Sequence, residues 1–438
     1  MQDSRSRSGV NSGGRMVLIS LTLILLMGVG LVGLWWTAAM RTPTVTIPNP
    51  ILPKPNAFDF YVAASNAIVN DKQVGDAASG KYATVSYSMA QKERLVQQNI
   101  GAIHTLHQGF AYPYLNPPCL SIEEPLPYYA KFRGMARLLT LRGQVQSAQG
   151  DWSGATDSYL DAMRLGEDMP HGSMLIGTLA GMACQAIGRS RMWNTVEHLN
   201  VVQSRAALNR LSSLLERNLP YADAVQEEKW YGQRCRMEIF DNPAMRDSLF
   251  VPHNEADDPQ AARAASSSRF LYLLYSKRSI MQDFTAYMDA VSAQVRRPYA
   301  AKLPPPTQPA DPFNQAMMTD YFYEWFKEIE SETQNRLLLV TLALHAFQVE
   351  HGRYPSSLVE LAPVYLKKLP DDPFAMQGTF RYQVKGKSYI LYSVGPDGKD
   401  DGGTQIDDPK KATNNSPNAR YRVDADSVGD IVAGKSLW

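Results

Sequence analysis

Between Met16 and Met40 the chain runs for about twenty-five residues without a charged side chain, and no other feature narrows the outcome so sharply. At about 1.5 Å per residue, a helix of that length spans a hydrocarbon core of about 30 Å with some tilt. Arg5, Arg7 and Arg15 precede it against a lone Asp3, in a Ser/Gly-rich setting with no reason to fold. The positive-inside rule then makes residues 1–15 a basic cytoplasmic stub and places everything after Arg41 outside, with Trp35 and Trp36 in the outer aromatic belt. The alternative is a cleaved signal peptide ending near Ala38-Ala39. Against it, the apolar core of a signal peptide is usually about 7–15 residues. The expectation is a single-pass helix over residues 16–40, with the membrane as a partner and the bulk of the chain extracytoplasmic.

The remaining length, out of 438 residues, suffices for two or three domains with cores of their own. With 44 Lys and Arg against 43 Asp and Glu, the charge is balanced, which argues against nucleic acid as a partner. Cys119, Cys184 and Cys235 are far apart and form no CxxC or His/Cys cluster, so zinc and dithiol redox chemistry are poor readings. One disulfide with a leftover thiol remains open, but Cys184 lies in an apolar helical run and reads as a small buried residue.

Residues 41–55 are proline-rich and read as a stalk holding the next domain off the membrane. Residues 56–331 then read as all helix. Amphipathic patterns cover Asn56–Val69, Met89–Leu106 with Ser88 as cap, Tyr128–Gln149 and Ser153–Asp168. Others follow at Ser173–Trp193, Val202–Leu215, Tyr221–Phe240, Ser266–Gln294 and Asp320–Ser331. Small residues such as Gly177, Gly181 and Gly188 permit close helix packing, while Gln185, Arg189 and Arg191 argue against a second membrane span. Asp241–Ala265 and Arg297–Pro312 read as exposed loops. Phe270, Tyr272, Tyr275, Phe284 and Tyr287 read as core residues. The pair at residues 128–168 carries Gly143, Gly150-Asp151-Trp152, Ala155, Tyr159 and Ala162, and resembles one tetratricopeptide repeat, with Trp152 and Tyr159 between its helices. It departs at Gln146, where an aromatic is usual, and an ordinary helical hairpin is the competing reading.

From residue 332 the pattern changes. Glu332–Val349 has no Gly or Pro and an apolar surface too broad for a lone surface helix. Gly352 sits where a left-handed cap stops it, and Ser357 with Glu360 fits a capping box opening a short helix through about Tyr365. Phe380, Tyr382 and Val384 alternate, Lys385-Gly386-Lys387 turns, and Tyr389–Val394 returns, which reads as a hairpin. Asp397, Asp400 and Asp401 then crowd among four glycines. Such carboxylates repel unless they are solvated or share a hard cation such as calcium.

These ordered pieces, a helix running into HGRYP, the LKKLPDDPF loop, a hairpin and SVGPDGKDDGG, resemble the C-terminal globular part of the major pseudopilin of type II secretion systems. The resemblance implies a small α+β head over residues 332–438 and a calcium loop. Asp397 matches one of its ligands and Asp430, in GDIV, aligns with a second. A solvated Asp/Gly turn without metal is the competing reading. The chain departs from the family by an insertion of roughly twenty-five residues between Gly403 and Val428. It also lacks the pseudopilin peptidase site, since Ile19 stands five residues after Gly14 where the family has Glu. About 290 residues separate the anchor from the head, so packing into a pseudopilus as a standard subunit is not expected.

No HExxH, GxSxG, Walker or GxGxxG motif is present. His104 and His107 share a helix face but read as polar surface, His345 and His351 point to different faces, and Glu227-Glu228-Lys229 reads as solvated. The expectation is a non-enzymatic, membrane-anchored scaffold with a protein partner, calcium as its cofactor, and a link to secretion or surface assembly. The alternative is an envelope hydrolase whose site in the helical region leaves no local motif.

Overall fold

The computed structural model describes residues 12–79, 86–249, 275–413 and 417–435. The described helices, in chain order, are α1 (Ser12–Ala39), α2 (Ala57–Asn66), α3 (Asp71–Ser79), α4 (Met89–Gln98), α5 (Ile100–Gly109), α6 (Tyr128–Ala148) and α7 (Trp152–Asp168). They continue with α8 (Leu175–Met192), α9 (Val201–Leu215), α10 (Tyr221–Asp241), α11 (Pro243–Ser248), α12 (Lys277–Val295), α13 (Pro312–Met317) and α14 (Tyr321–His351). Strands β1 (Arg381–Lys385), β2 (Ser388–Ser393) and β3 (Ile431–Val432) form one antiparallel sheet in the order β1-β2-β3. The mainly helical class and the late position of the sheet are as the sequence pattern implies.

Two compact units divide the chain. The first gathers Met1–Thr46, Cys235–Ala286 and Gln308–Met318. Within it, the Val17–Ala39 part of α1 is 23 residues long, is apolar enough to cross a membrane, and has none of its surface buried. Thr42 Oγ1 donates to Asp241 Oδ1 at 2.5 Å and accepts from Lys277 Nζ at 3.1 Å. The buried Arg236 donates from Nε to Asn314 Oδ1 at 2.8 Å and lies over the Phe284 ring, a cation–π contact.

The second unit gathers Ile47–Arg234, Tyr287–Thr307 and Thr319–Trp438. Here α6, α7 and α8 pack on one another, α2 and α3 pack on α6, α5 packs on α2, and α9 lies along α14 and α7. Small residues set the α7–α8 approach: a Cβ on Gly181 would stand 2.5 Å from the Gly166 carbonyl oxygen. One apolar core surrounds Tyr61, Leu106, Phe132 and Leu138. A second runs from α7 and α9 across Leu338 and Leu342 of α14 into Leu358, Phe374, Leu391 and Ile431. Each of those side chains contributes about 1.5–3 kcal/mol on burial, so residues after 332 take much of their stabilisation from helices before it.

Several elements differ from expectation. Asp320–Ser331 and Glu332–Val349 are one helix, α14, because nothing between its Asp320 cap and the left-handed Gly352 breaks it. Met89–Leu106 is two helices. Asn99 leaves the helical path to donate to the Val69 carbonyl at 3.1 Å and accept from the Val69 N–H at 2.7 Å. The capping box of Ser357 and Glu360 forms, but it opens a 3-10 turn, Leu358–Leu361, and no helix through Tyr365. Pro363 has no N–H to continue one. α3, α11 and α13 are additional short helices. Trp152 stacks on His198, 3.7 Å between centroids, and packs partly buried against the core that includes Ala155 and Tyr159. Phe284 and Tyr287 are buried as expected; Phe270 and Tyr272 lie outside the described residues.

Candidate functional site

β2 ends at Ser393, and the acidic loop begins at once. Gly395 has φ +67°, and a Cβ there would stand 2.3 Å from the Gly429 carbonyl oxygen, so the loop lies directly on Gly429-Asp430. That contact is closed by main-chain bonds from Asp430 N to Thr404 O (2.8 Å) and from Ile406 N to Asp430 O (3.2 Å). The insertion therefore leaves the loop and returns to it. It is held by the buried Ile406 and Val423 and by the Lys411–Asp424 ion pair at 2.9 Å.

Asp400, Asp401 and Asp430 come together at this loop, while Asp397 has partners of its own, and the four do different things. Asp430 is fully buried; its carboxylate accepts from Gly403 N at 2.7 Å and Asp401 N at 3.4 Å. Burial pushes its pKa up to about 6, with the two N–H groups opposing that rise. Asp400 accepts from Tyr392 Oη (2.8 Å), Gly402 N (3.0 Å) and Arg381 Nε (3.2 Å), and the tyrosine hydroxyl leads in holding its pKa below the usual range. The Asp401 side chain is exposed, while its carbonyl accepts from Thr404 Oγ1 at 2.7 Å. Asp397 Oδ1 accepts from Lys399 N at 3.1 Å, and its carbonyl from Lys302 Nζ at 2.7 Å. Its Oδ2 is buried with no hydrogen-bond partner.

Among the described residues, no three His, Cys, Asp or Glu side chains converge as a metal-holding group. Asp400 is committed to three donors, Asp401 faces solvent and Asp430 already takes two N–H groups, so of the four it is Asp397 that carries a buried, unpartnered carboxylate oxygen. A carboxylate oxygen and loop carbonyls on a Gly-rich backbone are the hard oxygen donors that calcium takes. The orphaned Oδ2 of Asp397 is an acceptor that a cation would satisfy.

Asp372, which no sequence motif marks, fixes where the loop starts. It is 2% exposed and accepts from Ser393 Oγ (2.6 Å), Val394 N (3.0 Å) and Phe374 N (3.1 Å). The one available signal was its place before Pro373, where an Asp side chain commonly caps a turn.

The other chemical candidates find structural partners. His104 bonds Gln108 at 3.2 Å while His107 bonds Asp161 at 2.8 Å, so the pair shares no ligand. His345 donates to the Leu199 carbonyl at 2.8 Å and His351 contacts the Phe347 carbonyl at 3.0 Å. Lys229 pairs with Asp289 at 2.6 Å and Glu228 accepts from Leu175 N at 3.2 Å, which is no acid/base couple. Cys119, Cys184 and Cys235 form no disulfide with one another, and Cys184 and Cys235 are buried. A carboxylate group that the sequence did not single out lies between α7 and α14. Burial raises Glu167 to about 8 and Glu328 to about 7, each helped by the other acids there. Glu167 Oε2 accepts from Gln185 Nε2 at 3.0 Å and Oε1 has no partner.

No family model matches the chain, and no curated protein or solved structure matches it either.

Proposed function

We propose that this chain is a single-pass, membrane-anchored scaffold whose N-terminus is cytoplasmic and whose helical and pseudopilin-like parts stand outside, beside a secretion or surface-assembly apparatus. The carrying observation is α1: a 23-residue apolar stretch with nothing packed on it, behind three arginines. Fifteen large apolar side chains on it stand exposed. Each gains roughly 1–2 kcal/mol on transfer to hydrocarbon, which favours insertion decisively. Alkaline carbonate washing of membranes tests the anchor. The full chain stays in the pellet and a version beginning at Ile47 is released; full-length protein in the wash would sink the reading.

Calcium is the second part of the proposal, held by Asp397 and Asp430. Bound there, it would neutralise the orphaned carboxylate oxygen and tie the loop to the segment before β3. Melting of the detergent-solubilised full chain is the test. At a hundredfold excess over the dissociation constant, calcium adds about 2.7 kcal/mol, magnesium adds little because it keeps its waters, and Asp397→Ala abolishes the gain. Superimposable melts in calcium and chelator would leave a metal-free turn.

A hydrolase reading draws support from Glu167 and Glu328, whose raised pKa values resemble those of catalytic acids. Glu167 is 3% exposed, however, and a substrate has no path to it in this conformation. The scaffold reading is preferred for that reason.

A further inference from the structure

A cavity of about 390 Å³ opens among α5, α6, α7 and α9, remote in sequence from the acidic loop. Its lining includes His107, Arg142, Gln146, Ser158, Asp161 and Arg210. Most of these groups are already spent on one another. Asp161, 6% exposed, takes His107 Nε2 on one oxygen at 2.8 Å and the Arg210 guanidinium on the other. Arg210 also reaches Asp157 Oδ1 at 2.8 Å. Ser158 Oγ donates to Gln146 Oε1 at 2.6 Å, and Gln146 Nε2 has only a long contact of 3.4 Å to Asp151. The half-buried Arg142 has no hydrogen bond or ion pair among the described residues.

The geometry points to a binding site for a monocarboxylate, with Arg142 as its anchor. A guanidinium presents five N–H donors in a planar fork that a carboxylate meets with two parallel bonds. Gln146 Nε2 offers another donor on the same helix, one turn on. The Asp161 network holds the far wall, and the Ser158 bond to Gln146 Oε1 leaves the amide N–H groups as that residue's open donors. Charge selects against phosphate: Asp157 and Asp161 both pair with Arg210, so Arg142 is the open cation of this lining and a second negative charge would face those carboxylates instead. Phe110 adds an apolar wall and the volume suits a short chain next to the acid group. Two sources share that chemistry, the C-terminus of a peptide and a free organic acid. The inference rests on this cavity alone and stands apart from the membrane and calcium readings.

The test is titration calorimetry on the detergent-solubilised full chain with four probes: N-acetyl-trialanine, its C-terminal amide, hexanoate and inorganic phosphate. The acid peptide or hexanoate binds, and the amide and phosphate bind at least tenfold more weakly. Arg142→Gln lowers carboxylate affinity at least tenfold with little change in melting temperature, since Arg142 makes no hydrogen bond or ion pair among the described residues and Gln keeps part of its stem, and Arg142→Lys keeps part of the affinity. Preference for the peptide assigns the site to chain ends, and preference for hexanoate to free acids. Binding of neither acid, equal binding of the amide or phosphate, or full affinity in Arg142→Gln overturns the proposal.

Discussion

Asp372 and Glu167 show how differently two buried carboxylates act. Asp372 has three donors on it and holds Val394, the first residue of the acidic loop, in place. Asp372→Ala strands buried donors and costs about 2–4 kcal/mol, read as a lowered chemical-denaturation midpoint. Asp372→Asn, still an acceptor, recovers part of it. Glu167 is buried among acidic neighbours with one donor on it, so burial first and those acids second push its folded-state pKa to about 8 against an ordinary 4.5. A raised acid is favoured protonated, so its contribution is greatest below about 4.5 and declines as pH climbs towards 8. Glu167→Gln removes that decline. The variant gains on the parent between pH 5 and 8, by on the order of 2–4 kcal/mol at the upper end, and parallel melting curves at both pH values would refute the assignment. Neither residue was legible beforehand, because what makes a carboxylate buried is packing from distant segments. The crowding of Asp397, Asp400 and Asp401 was legible because it is local. Their division of labour was not, since it depends on Tyr392, Arg381 and Asp430 folding over them.

Among the elements, the α6–α7 hairpin is set by one small residue. A Cβ on Gly143 would stand 2.3 Å from Tyr159 Cε1, so Gly143→Ala pushes the helices apart and costs about 1–3 kcal/mol. Gly101, on α5, has open space around its Cβ position, and Gly101→Ala stabilises by about 0.4–1 kcal/mol. Melting both variants checks the pair, and destabilisation of equal size would mean the hairpin is looser than described. Helix existence was readable here from apolar spacing and from a cap such as Ser88; the Asp151 cap that opens α7 one residue earlier was not read. Helix ends were less so. Asn99 breaks α4 from α5 through bonds to Val69, thirty residues earlier in sequence, which local periodicity does not contain.

For the whole molecule, the sequence separated residues 332–438 from the helices before them because their patterns differ. The structure runs α14 through that boundary and shares one core between α7, α9 and the sheet. A long-range core of this kind leaves no mark in either segment's own periodicity. The apolar helix α1, by contrast, was readable at once, since an uncharged run is a property of composition and needs no partner. The account rests on that run crossing a membrane with the bulk of the chain outside, and protease treatment of right-side-out and inside-out membrane vesicles tests it most directly. In right-side-out vesicles the added protease should remove nearly all of the chain and leave only a short N-terminal fragment containing α1, while inside-out vesicles should protect the bulk. Full-length protein surviving in right-side-out vesicles, and digestion in inside-out ones, would contradict the account.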